Sequence, residues 1–238
     1  MNFIPLASSS KGNAYLLQTD GVPPLLLEAG IPIKQIRVKL RNHGVSLSDL
    51  AGCLVSHEHG DHSKAVKDLL KAGVDCWMSE GTSKAIGMEH HHRICFLVES
   101  GSEITIASVW TVLPFALEHD ATEPTGFFIA HGDDRLLFIS DTAYVENRFE
   151  GVTMIAVECN FQDEILHENI SKGYLPSVTG RRTRRNHMSL KIVKDFLLAN
   201  DLSRTREIWL LHLSDGNSDE LRMIKEIQEV TGVPVHAA

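Results

Sequence analysis

The sequence predicts an α/β fold in which two β-sheets lie between layers of helices. Three observations predict it. Short β signals crowd the first half of the chain, amphipathic helices are interspersed among them, and strands and helices continue to the C-terminus. Candidate strands in the first half are Tyr15–Gln18, Leu25–Glu28, Gly52–Ser56, Asp75–Ser79, Ile94–Val98, Glu103–Ile106, Trp110–Phe115 and Thr125–Ala130. Pro32–His43 reads as a helix closed by the turn residue Gly44. Ser63–Ala72 reads as a second helix, with Ser63 as its N-cap and Gly73 as its stop. Arg135–Ser140 and Thr153–Val157 follow as strands, and Met188–Ala199 as an apolar-periodic helix. Glu207–Leu213 reads as a strand, Ser218–Val230 as a helix and Val233–His236 as a closing strand. The chain has no internal repeat, linker or low-complexity tract, so residues 1–238 are expected to form a single domain.

Bulk composition narrows the function. The chain is 43% hydrophobic and 23% charged, as suits a globular protein. No apolar run approaches the length of a membrane-spanning helix. The N-terminus lacks a basic region followed by a long apolar run, so a cytoplasmic protein without a signal peptide or membrane partner is expected. Cys53, Cys76, Cys95 and Cys159 are scattered through apolar, strand-like contexts and read as reduced core residues. A net charge of −8 repels polyanions at long range and argues against nonspecific DNA coating. It leaves room for a phosphate ester drawn into a metal-lined cleft, where the ions supply local positive charge.

The most informative stretch is His57-Glu58-His59-Gly60-Asp61-His62, which follows an apolar strand. In extended chain His57 and His59 face the same side and can grip one ion. At a strand-to-helix turn Asp61 and His62 can swing together toward a second. The helical zinc-protease motif His-Glu-x-x-His is excluded, because Asp61 stands where its second histidine would be. Four further residues are expected at the ends of apolar strands: His119, Asp141, His187 and His212.

With these residues in this order, the chain resembles the metallo-β-lactamase superfamily, and within it the YycJ/WalJ-type metal-dependent hydrolases. The likeness runs through Ala7-Ser8-Ser9-Ser10-Lys11-Gly12-Asn13-Ala14, Leu26-Leu27-Glu28-Ala29-Gly30, the histidine cluster, His119-Asp120-Ala121 and Ser140-Asp141. It closes with Asn186-His187-Met188-Ser189 and His212-Leu213-Ser214.

The resemblance implies a four-layer αββα sandwich, while the donor pattern itself calls for two divalent ions per chain, zinc on its His-rich nitrogen set, with manganese or iron as alternatives. The resemblance also implies that His57, His59 and His119 hold one ion, that Asp61, His62 and His212 hold the other, and that Asp141 bridges them. Asp61 then also serves as a catalytic carboxylate. His187 is left over, and a similar histidine in ribonuclease Z-type enzymes sits by the scissile phosphate, so it is assigned as general acid or phosphate clamp. Ser10, Asn13 and Ser189 are candidate substrate contacts, with turn or capping roles as the alternative.

Three departures from the family pattern stand out. Glu28 replaces the usual Asp. Glu158-Cys159-Asn160 lacks the His-Asp that normally follows, which leaves its substrate role open. Arg181-Arg182-Thr183-Arg184-Arg185 is unusually basic and reads either as a solvated loop or as a clamp for a nucleotide or nucleic-acid end, with Arg184 and Arg185 as its contacts. The triplet His90-His91-His92 reads as exposed loop.

The expected activity is that of a dinuclear phosphodiesterase, a DNA exonuclease on family likeness, whose substrate is a nucleic-acid end or a small nucleotide. A cyclic-nucleotide phosphodiesterase of the phage anti-Pycsar type is the first alternative. A thioester or lactone hydrolase of the glyoxalase II type is the second. A homodimer is compatible with the sequence.

Overall fold

The computed structural model describes residues 1–97 and 101–238. The chain divides into two compact units, Met1–Ala116 with Ala121–Gly132, and Leu117–Asp120 with Asp133–Ala238.

The first unit begins with strands β1 (Asn2–Ala7), β2 (Ala14–Gln18) and β3 (Leu25–Leu27) and helix α1 (Ile33–Asn42). Strand β4 (Gly52–Leu54), helices α2 (Gly60–Ser63) and α3 (Val66–Lys71), strand β5 (Cys76–Met78), helix α4 (Glu80–Ala85) and strand β6 (Ile94–Phe96) follow. These six strands form one sheet in the order β1-β2-β3-β4-β5-β6. β1–β3 pair antiparallel, and β3–β6 run parallel. Strands β7 (Ile104–Ile106), β8 (Trp110–Ala116) and β9 (Thr125–His131) pair antiparallel in sequence order.

One face of the six-stranded sheet carries Leu16, Leu26, Cys53 and Cys76, packed with Ile36 and Leu40 of α1 and Val66, Leu69 and Leu70 of α3. The alternate residues Tyr15, Leu17, Leu25, Leu27 and Leu54 are also buried. Strands buried on both faces read as continuous apolar runs, which is why Leu25-Leu26-Leu27 shows no alternation. Trp110 of β8 donates its indole N–H to Pro23 O at 2.8 Å.

The second unit holds strands β10 (Asp134–Ile139) and β11 (Met154–Glu158), helices α5 (Asp163–Ser171), α6 (Ser177–Asn186) and α7 (Leu190–Leu198), strand β12 (Glu207–Leu211), helix α8 (Glu220–Thr231) and strand β13 (Val235–Ala237). β10 to β13 run parallel, each beside the next. Every residue of β11 is buried, as a parallel strand covered on both faces requires.

Several expectations are corrected. Helix 63–72 does not start at a Ser63 cap. A one-turn helix, α2, begins at Gly60, and Ser63 Oγ instead donates to the carbonyls of Glu58 and His59 (2.7 and 3.0 Å). The arginine run is not a loop but lies within helix α6. Of the expected strand Ile94–Val98, Val98 lies outside the described residues. Cys53, Cys76 and Cys159 are buried, Cys95 is half-buried, and all four are free, as expected. No helix among the described residues is long and apolar enough to cross a membrane.

Candidate metal centre

Each unit gathers its own set of imidazoles and carboxylates. In the first unit, β4 delivers the chain through buried Val55 and Ser56 to His57. The His57 ring centroid lies 4.7 Å from that of His59 and 4.2 Å from that of His62. Ser56 Oγ is 2.9 Å from His57 Nδ1 and fixes the ring. Glu58 points elsewhere, accepting Thr122 N–H and O–H, each at 2.7 Å, so it anchors the loop rather than joining the donors. His62 is held on both sides. The Asn13 side-chain amide donates to His62 Nε2 at 3.1 Å, which places the ring proton on Nδ1, and that atom faces Glu28 Oε1 at 3.5 Å. A carboxylate behind the far nitrogen of a ligating histidine is how proteins orient such rings and raise their basicity. Glu28 is fully buried, and among the described residues its Oε1 has no hydrogen-bond partner. Glu28 also sits at φ 63°, a left-handed backbone that a glutamate adopts only when its surroundings impose it.

In the second unit the loop after β8 presents His119. Asn186 O accepts its Nδ1–H at 2.9 Å, turning Nε2 toward Asp120 Oδ1 (3.3 Å) and Asp141 Oδ2 (3.9 Å). Burial dominates the His119 environment and lowers its pKa, favouring the neutral ring that a metal needs. Asp141 follows β10, and its Oδ1 lies 2.5 Å from His212 Nδ1. His212 is the first residue past β12, with φ 53°, and its carbonyl accepts the Asn160 amide at 2.9 Å. Asp141, Glu158, His187 and His212 each offer one donor atom, all within 4.8 Å of one another. So many buried carboxylates and imidazoles in one place fit a divalent cation, which replaces their mutual desolvation with bonds to a hard or borderline centre.

Glu158 is the residue that sequence reasoning undervalued. It is fully buried at the end of β11. Its Oε2 accepts Thr142 N–H (3.2 Å) and Met188 N–H (3.1 Å), and its Oε1 is hydrogen-bonded to His187 Nδ1. The signal was a glutamate closing an apolar strand, Met154–Glu158, where burial without function is costly. His187 caps the C-terminus of α6 and does not end a strand. Burial would lower its pKa, but the charge and hydrogen bond of Glu158, with Asp141 and Asp120 beside it, prevail and push it up to about 9.

The candidate substrate contacts fare unevenly. Asn13 is fully buried, with its side-chain amide against His62. Ser189 is buried and caps α7, accepting Ile192 N–H at 3.4 Å. Ser10 is exposed. Arg184 turns to Asp163, at 3.7 Å. Arg185, with Arg181 and Arg182, lines a cavity beside Asp120 and Asn186. His90-His91-His92 lies on an irregular turn with His90 and His92 exposed.

Comparison with known proteins places this arrangement. The model of the beta-lactamase superfamily domain matches residues 25–213, so the chain belongs to that superfamily and is a metal-dependent hydrolase. Among individual relatives, it is 31% identical to exodeoxyribonuclease YycJ of Bacillus anthracis, over all of this chain and 93% of that protein. It is 30% identical to exodeoxyribonuclease WalJ of Streptococcus pneumoniae serotype 2 (strain D39 / NCTC 7466), over 96% of this chain and 85% of the relative. Among solved structures, the metallo-beta-lactamase fold protein YhfI of Bacillus subtilis superposes with a TM-score of 0.74 at 16% identity, covering 99% of this chain and 95% of that one. The expected family and fold class are both borne out.

Proposed function

We propose that the chain is a dinuclear metal-dependent phosphodiesterase that degrades DNA from its ends. The observation that carries this reading is the Glu158–His187 pair beside Asp141 and His212. A thioester expels a thiolate that needs no proton donor, whereas a phosphodiester gains from an imidazolium that donates to a phosphoryl or leaving oxygen. The names of the two relatives, at 30% and 31% identity over nearly the whole chain, support DNA as the substrate class.

In this reading His57, His59 and His119 would hold one ion and Asp61, His62 and His212 the other, with Asp141 as the carboxylate that would be shared. Zinc suits this nitrogen-rich donor set, with manganese as the alternative. Such ions, when bound, supply Lewis acidity and lower the pKa of water. The chain's own residues do the rest. Glu158 engages His187 Nδ1, which leaves Nε2 to meet the substrate as a proton donor. Glu28 backs the His62 ring at Nδ1, and Nε2, which the Asn13 amide meets at 3.1 Å, is the nitrogen that would ligate in exchange for that contact. Asp61, the more exposed carboxylate of its cluster, accepts a proton from the attacking water.

The test is a substrate panel of single- and double-stranded DNA, cyclic mononucleotides, bis(p-nitrophenyl) phosphate and S-lactoylglutathione, with metal content measured in parallel. DNA turnover is expected, with about two ions per chain. His187→Ala is expected to keep the ions and lose about 10²-fold or more in rate. Turnover of cyclic nucleotides alone, or of the thioester alone, overturns the nuclease assignment. Loss of an ion in His187→Ala makes that residue a ligand instead.

A further inference from the structure

Resting on the nuclease reading, we infer that the α6 cavity is a second phosphate site, one that recognises the terminal phosphomonoester of a DNA strand. The cavity holds about 380 Å³ and is lined by Asp120, Val178, Arg181, Arg182, Arg185 and Asn186. It directly adjoins the candidate centre, since Asp120 follows His119 and Asn186 precedes His187 in the chain.

Charge decides what it fits. Arg182 is committed to Asp120, with Nε and Nη2 at 3.1 and 2.9 Å from one carboxylate oxygen. Arg181 and Arg185 have no hydrogen bond or ion pair among the described residues and are exposed. Three cations against one anion leave two positive charges, in a chain of net charge −8. An internal phosphodiester carries one negative charge, whereas a terminal phosphomonoester carries close to two at neutral pH. The terminal group therefore matches the uncompensated pair, and guanidinium forks suit its oxygens.

Folding alone does not explain the placement. Arg181 and Arg185 are four residues apart on one helix face, where like charges destabilise the helix. A favourable contact with the helix dipole applies to the last turn, and so to Arg184 and Arg185 but not to Arg181. A cyclic mononucleotide has one phosphate and would leave this site empty, so the cavity also favours a strand end as substrate.

The experiment compares cleavage of one oligonucleotide bearing a terminal phosphate with the same strand ending in hydroxyls, using the metal-loaded protein. The wild type is expected to show at least about tenfold lower KM for the phosphorylated strand, and Arg181→Gln/Arg185→Gln to bring that ratio close to one while still cutting both strands. A wild type that treats both ends alike, or a double variant that keeps the preference, overturns the inference. If no strand is cut at all, the nuclease reading has failed, and calorimetric titration with thymidine 5′-phosphate and with thymidine still decides the cavity. Tighter binding of the phosphate by the wild type, lost in the double variant, supports it. Equal loss for phosphate and nucleoside, or no loss, overturns it.

Discussion

Glu158 carries three hydrogen bonds on two oxygens while fully buried, and two of its three donors are backbone N–H groups that no rotation can redirect. The third is His187, so the carboxylate both fixes that ring and stabilises its protonated form. Glu158→Gln replaces an acceptor-only group with one that must point an NH₂ at a donor. It is expected to cost about 1–3 kcal/mol of stability and about 10²-fold in rate. Denaturant unfolding and steady-state kinetics on DNA measure the two, and full activity in this variant contradicts the assignment. A pH dependence follows as well. In the metal-free chain the folded His187 pKa, about 9, lies above its ordinary 6.5, so the pair's contribution is fully present below pH 6.5 and is lost as pH rises through 9. The Tm of the metal-free protein is expected to fall across that window, and His187→Gln to flatten the fall. Equal slopes in both proteins would show that the pair contributes nothing.

At the scale of elements, the histidine loop is clamped by the turn after β3. Asn13 N donates to Asp61 O, Ala29 N to His62 O, Ala65 N to Ala29 O and Gly30 N to Asn13 O, each at 2.8 Å. A Cβ on Gly30 would sit 1.6 Å from Asp61 O, so only glycine admits this approach. Gly30→Ala must push α2 away. It is expected to destabilise by about 3 kcal/mol and to lower metal content together with activity, as elemental analysis would read; retention of bound metal despite the loss of stability separates the clamp from the candidate ligands.

This clamp also shows how far the sequence was legible. The spacing His57-x-His59-x-Asp61-His62 brought candidate donors together because donors at one turn need no long-range information. Gly60 is the first helical residue of α2, where backbone amides have no intrahelical partner to lose. Helices α5 and α6 escaped because each buries almost no apolar surface, Leu166 in one and Gly180 with Asn186 in the other, so hydrophobic periodicity was absent. Strand β1 contains Pro5, which weakens a strand signal and is tolerated because β1 is an edge strand. Glu158 and His187 needed the third dimension, since 29 residues separate two atoms in hydrogen-bond contact.

For the molecule as a whole, the decisive quantity is how much of the native state's stability depends on metal. Glu28, Asp141 and Glu158 are buried carboxylates among imidazoles, in a chain already carrying −8. Without cations these groups are held together against their desolvation cost. With cations the same groups become the reason the fold is favoured, because an ion that binds only the native state stabilises it by RT ln(1 + [L]/Kd). At 100 to 1,000 times Kd this is about 3–4 kcal/mol per site, or about 5–15 °C in Tm for a chain of this length. Chelation is therefore expected to lower Tm by at least that much and to abolish DNA cleavage, and zinc or manganese to restore both. His59→Ala and Asp141→Ala are expected to melt near the chelated wild type and to respond weakly to added metal. They separate ligand loss from general damage, because a variant crippled by misfolding would melt below the chelated wild type. Should the chelated protein melt unchanged and still cut DNA, the carboxylates and imidazoles would have to be satisfying one another, and the two-ion reading would fall.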